Sequence, residues 1–194
     1  VHRTGSSWLA CLAAISGHGY PMKVVVLTGP ESSGKSWLAG EIQASFGGLI
    51  VGEYVRHFID SEQRDTCYAD IQAIASGQLI WEDAARQQQP ELLILDTHLL
   101  SNILWSRLLF DDCPDWLEPE LLTRNYDLLL LLDPADVPWV ADGQRCQPQL
   151  AQRQHFHTAC RDWLETHQQP YQNISGDWRA RKIDACAAIR NLQT

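Results

Sequence analysis

Residues 23–36 read K-V-V-V-L-T-G-P-E-S-S-G-K-S, and this stretch decides the fold. Its first six residues, Lys23–Thr28, form a continuous apolar run rich in β-branched side chains, which is typical of a strand buried on both faces of a parallel sheet. Residues 29–36 match the pattern G-x-x-x-x-G-K-S/T in full and open a helical pattern over residues 34–46. The sequence therefore predicts a phosphate-binding loop (P-loop) between a first strand and a first helix.

The residue types of this loop fit the binding of ATP together with Mg²⁺. Glycine permits the backbone N–H groups to approach the phosphates closely, and the helix N-terminus adds partial positive charge there. We expect the Lys35 ammonium to contact the β- and γ-phosphates and the Ser36 hydroxyl to bind Mg²⁺. The residues predicted to bind ATP are Gly29, Pro30, Glu31, Ser32, Ser33, Gly34, Lys35, Ser36 and Trp37.

Further apolar runs predict the remainder of a parallel sheet. They cover residues 49–51, 91–96, 126–133 and 170–174, and helical spacing is found at 68–89, 150–167 and 178–192. Because strands alternate with helices, the expected fold is α/β, with three layers around a five-stranded parallel sheet. We assign residues 22–194 to one domain. Residues 1–21 are interpreted as an N-terminal extension outside that core, with Met22 as the expected translation start.

Three charged residues that follow predicted strands are candidates for the chemistry. Asp96 ends the third strand, where a carboxylate can reach a metal, although a helix N-cap is the alternative. Glu53 follows the second strand, and it could accept the proton of an attacking hydroxyl, hold sugar hydroxyls, or be an acid in the first turn of a helix. Arg145 follows the fourth strand, and it could neutralise a transferring phosphoryl group from a lid or lie in a surface turn.

The overall charge and the cysteines limit the class of partner. The 194 residues carry a formal net charge of −9, which opposes broad binding to nucleic acid or to an anionic membrane. No apolar run reaches the roughly 18 residues needed to span a bilayer. The six cysteines are scattered without a C-x-x-C pair, which fits reduced thiols in the cytoplasm. His155 and His157 are spaced i,i+2, so we expect a solvated helix face there rather than a metal site.

Several short motifs occur in a specific order. After the loop come E-Y-x-R at 53–56, Y-x-D-I at 68–71, G-Q at 77–78, L-D-T at 95–97 and W-V-x-D-G-x-R at 139–145. This succession, over about residues 22–192, resembles the ribosylnicotinamide kinase domain of NadR and its AAA-type relatives. The resemblance implies a P-loop nucleoside kinase fold that transfers the γ-phosphate of ATP to the 5′-hydroxyl of nicotinamide riboside.

The resemblance also implies roles for the matching residues. Glu53, Tyr54 and Arg56 would face the nucleoside, and Gln78 would help to line its pocket. Asp96 would face Mg²⁺ or the hydroxyl. The implied catalytic residues are Lys35, Glu53, Asp96 and Arg145, and the implied metal ligands are Ser36 and Asp96. In two places the sequence departs from related domains, since Gly52 replaces an aromatic residue and His98 an acidic one.

Two other functions fit the same residues. A regulatory ATPase or switch would bind and hydrolyse ATP to control a partner. A kinase for another small metabolite would keep the mechanism and change only the acceptor pocket. Hydrolysis of ATP without any acceptor would favour the switch.

Overall fold

Five parallel strands form the sheet of the computed structural model, which describes residues 22–193. The strands are β1 (Lys23–Thr28), β2 (Leu49–Val51), β3 (Leu92–Asp96), β4 (Leu128–Leu132) and β5 (Tyr171–Ile174). Their order across the sheet is β2-β3-β1-β4-β5. The predicted five-stranded parallel sheet is confirmed. The predicted N-terminal extension, residues 1–21, lies outside the described residues.

Between residues 22 and 193, seven α-helices connect the strands or follow them. They are α1 (Lys35–Phe46), α2 (Tyr54–Glu62), α3 (Ile71–Gln87), α4 (Leu99–Phe110), α5 (Leu117–Thr123), α6 (Leu150–Thr166) and α7 (Trp178–Gln193). The helices predicted at 34–46, 150–167 and 178–192 are found with small shifts at their ends. The helix predicted at 68–89 is shorter, because Tyr68–Asp70 forms a 3-10 turn before α3 begins.

Three of the helices, α2, α4 and α5, were not predicted from sequence. Helix α4 reads L-L-S-N-I-L-W-S-R-L-L-F, with apolar side chains on all sides, so it has no stripe of helical period to recognise. Helix α5 has only seven residues, and α2 has nine residues of which none is buried. Within residues 22–193, every helix falls short of the length and hydrophobicity that a membrane-spanning segment needs.

The helices cover both faces of the sheet, and the predicted three layers are confirmed. Along β1 the side chains of Val24 and Val26 enter a core shared with α3, α4, α5 and α6. Val25 and Leu27 alternate with them and enter the opposite core, beneath α1 and α7. Burial on both faces explains why the strand is a continuous apolar run.

The strand order brings three loops together at one edge of the sheet. Strand β1 lies between β3 and β4, and Leu27 is in register with Asp96 of β3. The P-loop after β1, the segment after β3 and residues 133–149 after β4 therefore emerge side by side. A cleft outside the carboxyl ends of the strands is where open α/β sheets bind their ligands. We call residues 133–149 the β4–α6 loop.

A close contact between Tyr54 and Gly77 sets the position of α2 on α3. A Cβ atom added at Gly77 would lie 2.1 Å from Cε1 of the Tyr54 ring. The same ring meets Trp81 edge-on, with the ring centroids 4.8 Å apart. Only glycine at position 77 leaves room for this approach.

We expect Gly77→Ala to lower the free energy of unfolding by about 1–3 kcal/mol, because the added methyl group overlaps the Tyr54 ring and the two helices must shift. Gly40→Ala is the matched control, since Gly40 also lies within a helix but has no atom within 4 Å of an added Cβ. That change should be neutral or stabilise by roughly 0.5–1 kcal/mol. Urea unfolding measures both variants, and equal stabilities would contradict the packing of α2 on α3.

Candidate active site

The P-loop wraps around the ammonium group of its own lysine. Lys35 is buried, and its Nζ donates hydrogen bonds to the carbonyl oxygens of Gly29 at 3.0 Å and Pro30 at 2.8 Å. Gly29 has a φ of 133°, and a Cβ there would lie 2.7 Å from the carbonyl oxygen of Leu132. Glycine is therefore required at the first position of the motif by both conformation and space.

Two buried arginines hold the loop from its outer side. Nη1 of Arg181 donates to the carbonyl oxygen of Ser33 at 3.1 Å, and Nη1 of Arg153 lies 3.5 Å from the carbonyl oxygen of Ser32. The C=O and the next N–H of a trans peptide point in opposite directions. Because these carbonyls face the arginines, the following N–H groups, those of Ser33 and Gly34, face the other way, toward the side where a phosphate would bind.

The same two arginines supply local positive charge. Burial lowers the pKa of both Arg153 and Arg181, yet a guanidinium group stays protonated in proteins. Neither forms a salt bridge with a carboxylate anywhere in residues 22–193. Together with Lys35 they place three cationic side chains around the P-loop of a chain whose net charge is −9. Sequence reasoning missed both residues, although each lies on the buried stripe of its helix, as the neighbouring Phe156 and Ala185 do.

Asp96 and Ser36 have the chemistry to bind Mg²⁺. Asp96 is the last residue of β3 and is buried, and its Oδ1 has no hydrogen-bond partner among the described residues. A buried carboxylate oxygen without a donor is costly unless a cation or water satisfies it. The side chain of Ser36 is exposed in the first turn of α1. Mg²⁺ prefers oxygen ligands and needs only one or two from the protein when phosphates supply others.

Glu53 occupies the N-cap position of α2 and lines the same cavity as the P-loop. Its side chain is only 18% exposed. Burial is the largest influence on its pKa and raises it, the charge of Lys35 lowers it, and the charge of Asp96 raises it again. The net result is a pKa above the ordinary glutamate value. Glu53 is therefore close enough to Lys35 and Asp96 for their charges to affect its pKa. The raised pKa makes Glu53 a stronger base than an exposed glutamate.

A chain of ion pairs links Glu53 to the β4–α6 loop. Nε of Arg56 donates to Oε2 of Glu53 at 3.2 Å, and Nη1 of the same residue donates to Oδ2 of Asp142 at 2.7 Å. Nε of Arg145 lies 3.1 Å from that same carboxylate oxygen. Both arginines line the cavity. The structure thus brings Glu53, Arg56 and Arg145 together at one side of the cavity.

Gln78 lines the cavity, whereas the Tyr54 ring lies elsewhere, which differs from the expectation that Tyr54 faces the nucleoside. Gln78 is buried, with Oε1 accepting from the backbone N–H of Tyr54 at 2.8 Å and Nε2 donating to the carbonyl of Gly52 at 3.2 Å. These bonds hold the turn that carries Glu53. The Tyr54 ring packs on Gly77 instead of lining the cavity. Gln78 still borders the cavity, and its amide positions its neighbours.

One open cavity of about 690 Å³ contains most of these groups. Residues 31–37 of the loop and first helix form one part of its wall, together with Trp178. Another part is largely apolar and is formed by Val55, Ile59, Ile74, Trp105 and Leu109. The arrangement can hold an anion at the loop beside a flat apolar group. The aromatic wall at Trp105 belongs to helix α4, which was not predicted, so the position of Trp105 in the cavity was not predicted either.

His98 follows Asp96 and Thr97 and is a buried, uncharged residue. Its ring meets Tyr126 edge-on with centroids 5.1 Å apart, and its Nδ1 has no partner in the described part of the chain. Burial lowers its pKa to about 3. His98 is therefore neutral at pH 7 and does not replace the negative charge of an acidic residue at this position.

This low pKa predicts that acid destabilises the protein through His98. Above pH 6.5 the imidazole is neutral in both the folded and the unfolded chain, so it contributes no pH dependence. Between pH 6.5 and 3 only the unfolded chain binds the proton, which lowers the free energy of unfolding by about 2 kcal/mol at pH 5. The test measures the free energy of unfolding as a function of pH, without nucleotide and Mg²⁺. We expect His98→Gln to lose the part of the decrease between pH 6.5 and 3 that His98 causes. Parallel curves for the two proteins would contradict the prediction.

The chain is similar to NadR proteins in sequence and in fold. Trifunctional NAD biosynthesis/regulator protein NadR of Escherichia coli K12 is 23% identical over 176 residues, which is 88% of this chain and 43% of that protein. The structure of NadR in complex with NAD and AMP-PNP has a TM-score of 0.72 at 18% identity, over 89% of this chain and 49% of that one. For NadR in complex with NR the TM-score is 0.70 at 20% identity, over 89% and 52%.

A thymidylate kinase from Ehrlichia chaffeensis shares the fold as well, with a TM-score of 0.62 at 12% identity over 88% of this chain and the whole of that one. The chain spans less than half the length of the E. coli NadR that it matches. The predicted resemblance to NadR and the predicted P-loop nucleoside kinase fold are confirmed. Residues 24–181, which run from β1 through the P-loop to Arg181, match the AAA domain family, and the chain therefore belongs to that family.

Proposed function

We propose that this chain is an ATP- and Mg²⁺-dependent kinase that phosphorylates a small nucleoside, with nicotinamide riboside as its acceptor. The observation that carries the proposal is the single cavity in which the P-loop, Glu53 and an apolar wall meet. A phosphate donor on the loop and an acceptor on the apolar wall would then lie side by side. Phosphoryl transfer depends mainly on such positioning and on electrostatics.

On the donor side, the backbone N–H groups of the loop and Lys35 hold the β- and γ-phosphates of ATP. Ser36 and Asp96 are the residues that would hold Mg²⁺, which when bound neutralises negative charge on the phosphates. Arg153 and Arg181 keep the loop carbonyls turned outward. Trp178, which would collide with a Cβ at Gly34, closes the loop side of the cavity.

On the acceptor side, Glu53 takes the proton of the ribose 5′-hydroxyl as that oxygen attacks the γ-phosphorus. A new P–O bond forms to the nucleoside, and the bond between the γ-phosphorus and the bridging oxygen of ADP breaks. Burial raises the pKa of Glu53, which increases its strength as a base. Arg145 neutralises charge on the transferring group from the β4–α6 loop.

The lining of the apolar part of the cavity supports a positively charged base. Trp105 offers an aromatic face, and Glu53 and Asp65 add negative charge to the same cavity. The nicotinamide ring of the riboside is a pyridinium cation, which such a face and such carboxylates attract. The similarity to NadR solved with NR supports the same acceptor.

A screen of ATP consumption tests the proposal. The purified protein with Mg²⁺ is given nicotinamide riboside, other nucleosides or no acceptor, and the products are identified by mass. We expect ADP and nicotinamide mononucleotide in equal amounts, with little turnover when no acceptor is present. Phosphorylation of a different nucleoside would support the kinase activity but show that nicotinamide riboside is not the acceptor. ATP hydrolysis at a rate that no acceptor changes would overturn the proposal in favour of a regulatory ATPase.

A further inference from the structure

The Glu31 side chain leaves the P-loop and binds the β4–α6 loop. Its Oε1 accepts hydrogen bonds from Nε1 of Trp139 at 2.8 Å and from the backbone N–H of Gln147 at 2.7 Å. Its Oε2 accepts from the backbone N–H of Cys146 at 3.0 Å. No salt bridge to Glu31 occurs within residues 22–193. These N–H groups are therefore the direct partners of the carboxylate charge, and hydrogen bonds to a charged acceptor are about twice as strong as neutral ones.

The donors bracket the part of the loop that carries Arg145. Trp139 precedes this segment and Gln147 follows it, so one carboxylate ties both ends to the P-loop. Between them, Oδ1 of Asp142 accepts from the backbone N–H of Arg145 at 3.1 Å, and Nη1 of Arg145 donates to the carbonyl oxygen of Val140 at 2.6 Å. The guanidinium group of Arg145 is thus oriented within a segment whose ends are fixed by Glu31.

From these contacts we infer that Glu31 is a positioning residue, whose carboxylate holds the Arg145 segment of the β4–α6 loop in place over the phosphate site. A carboxylate aimed at the phosphates would repel them. Turned toward three N–H donors, it instead joins the donor loop to the loop that carries the phosphate-neutralising arginine. The inference rests on the proposed kinase function for its catalytic consequence, but the contacts themselves can be tested without any activity.

Amide hydrogen exchange tests the contacts directly. Glu31→Gln keeps the size of the side chain but replaces one acceptor oxygen with an NH₂ donor. We expect the backbone amides of Cys146 or Gln147, or both, to exchange roughly 10- to 100-fold faster, as the loss of a hydrogen bond to a charged group implies. Trp139→Phe, which removes only the indole N–H, should produce a smaller increase at the same amides. Unchanged exchange in Glu31→Gln would overturn the inference.

Glu41→Gln is the matched control for this experiment. It makes the same chemical change on α1, at a residue that pairs with Lys182 on the outside of the molecule. We expect it to leave exchange at Cys146 and Gln147 as in the wild type. The same acceleration in this variant would mean that a change in net charge, and not the lost contact, is responsible.

Combining Glu31→Gln with Arg145→Ala separates positioning from a general loss of structure. If Glu31 acts through Arg145, then Glu31→Gln alone should lower kcat at least roughly tenfold. Added to Arg145→Ala, it should lower kcat less than about twofold further. Losses that multiply would overturn the inference. If the wild-type protein phosphorylates no acceptor, the proposed function is wrong. The amide hydrogen exchange experiment still shows whether Glu31 holds the Arg145 segment in place.

Discussion

Lys35→Met is expected to lower kcat/KM for phosphoryl transfer by roughly 10²–10³-fold, the usual effect of removing one charge-stabilising donor from an active site. Lys35 is the cation at the centre of the P-loop, with its Nζ within 3.0 Å of two loop carbonyls. Methionine keeps an unbranched stem of similar length, so it fills the same space without the charge. Steady-state kinetics with saturating acceptor measure the loss.

The fold should survive this substitution, because Arg153 and Arg181 still hold the loop carbonyls from the outer side. A melting temperature close to that of the wild type would show this. Lys23→Met is the matched control. It removes the same charge at the other end of β1, where Lys23 pairs with Asp127 at 3.1 Å, and it should leave the kinetics almost unchanged. Full activity in Lys35→Met would refute the assignment of the P-loop as the phosphate site.

The features that sequence reasoning predicted correctly are those encoded by neighbouring residues. The P-loop lies within eight consecutive residues, and strands such as Leu92–Asp96 are apolar runs bounded by polar ones. Local spacing specifies both, whatever surrounds them. Helix α4 is also local but was missed, because it is buried against α3, α5 and α6 and shows no difference between its faces.

Side-chain partners that are distant along the chain could not be read in the same way. Glu31 is predicted to bind ATP because it lies inside the motif, but nothing in the motif indicates that its carboxylate also accepts a hydrogen bond from Trp139, which is 108 residues away. Tyr54 belongs to a motif beside Glu53, but its ring contacts Gly77 of another helix. Such contacts depend on how helices and loops are arranged around the sheet. Spacing within one segment says nothing about that arrangement.

The carboxylate most important for the proposed transfer is Glu53, and Glu53→Gln is expected to lower kcat by roughly 10²–10⁴-fold, the range for loss of a general base. Glutamine has nearly the same size, and its Oε1 can still accept the hydrogen bond from Nε of Arg56. The affinity for ATP should therefore change only a few-fold. Isothermal titration with a non-hydrolysable ATP analogue measures that affinity separately from the rate.

The pH profile gives this variant a second and more specific readout. A general base works only when it is deprotonated, so the rate falls as pH drops through its pKa. Because burial raises the pKa of Glu53, the acid limb of the wild-type profile should lie above that of an ordinary glutamate, whose pKa is 4.5. Glu53→Gln should lose this limb.

Glu62→Gln is the matched control on the same helix, because the Glu62 side chain is 46% exposed. This variant should keep both the wild-type rate and the acid limb of the profile. A Glu53→Gln profile that retains the wild-type limb at a reduced rate would assign proton transfer to another group and leave Glu53 a role in binding the acceptor.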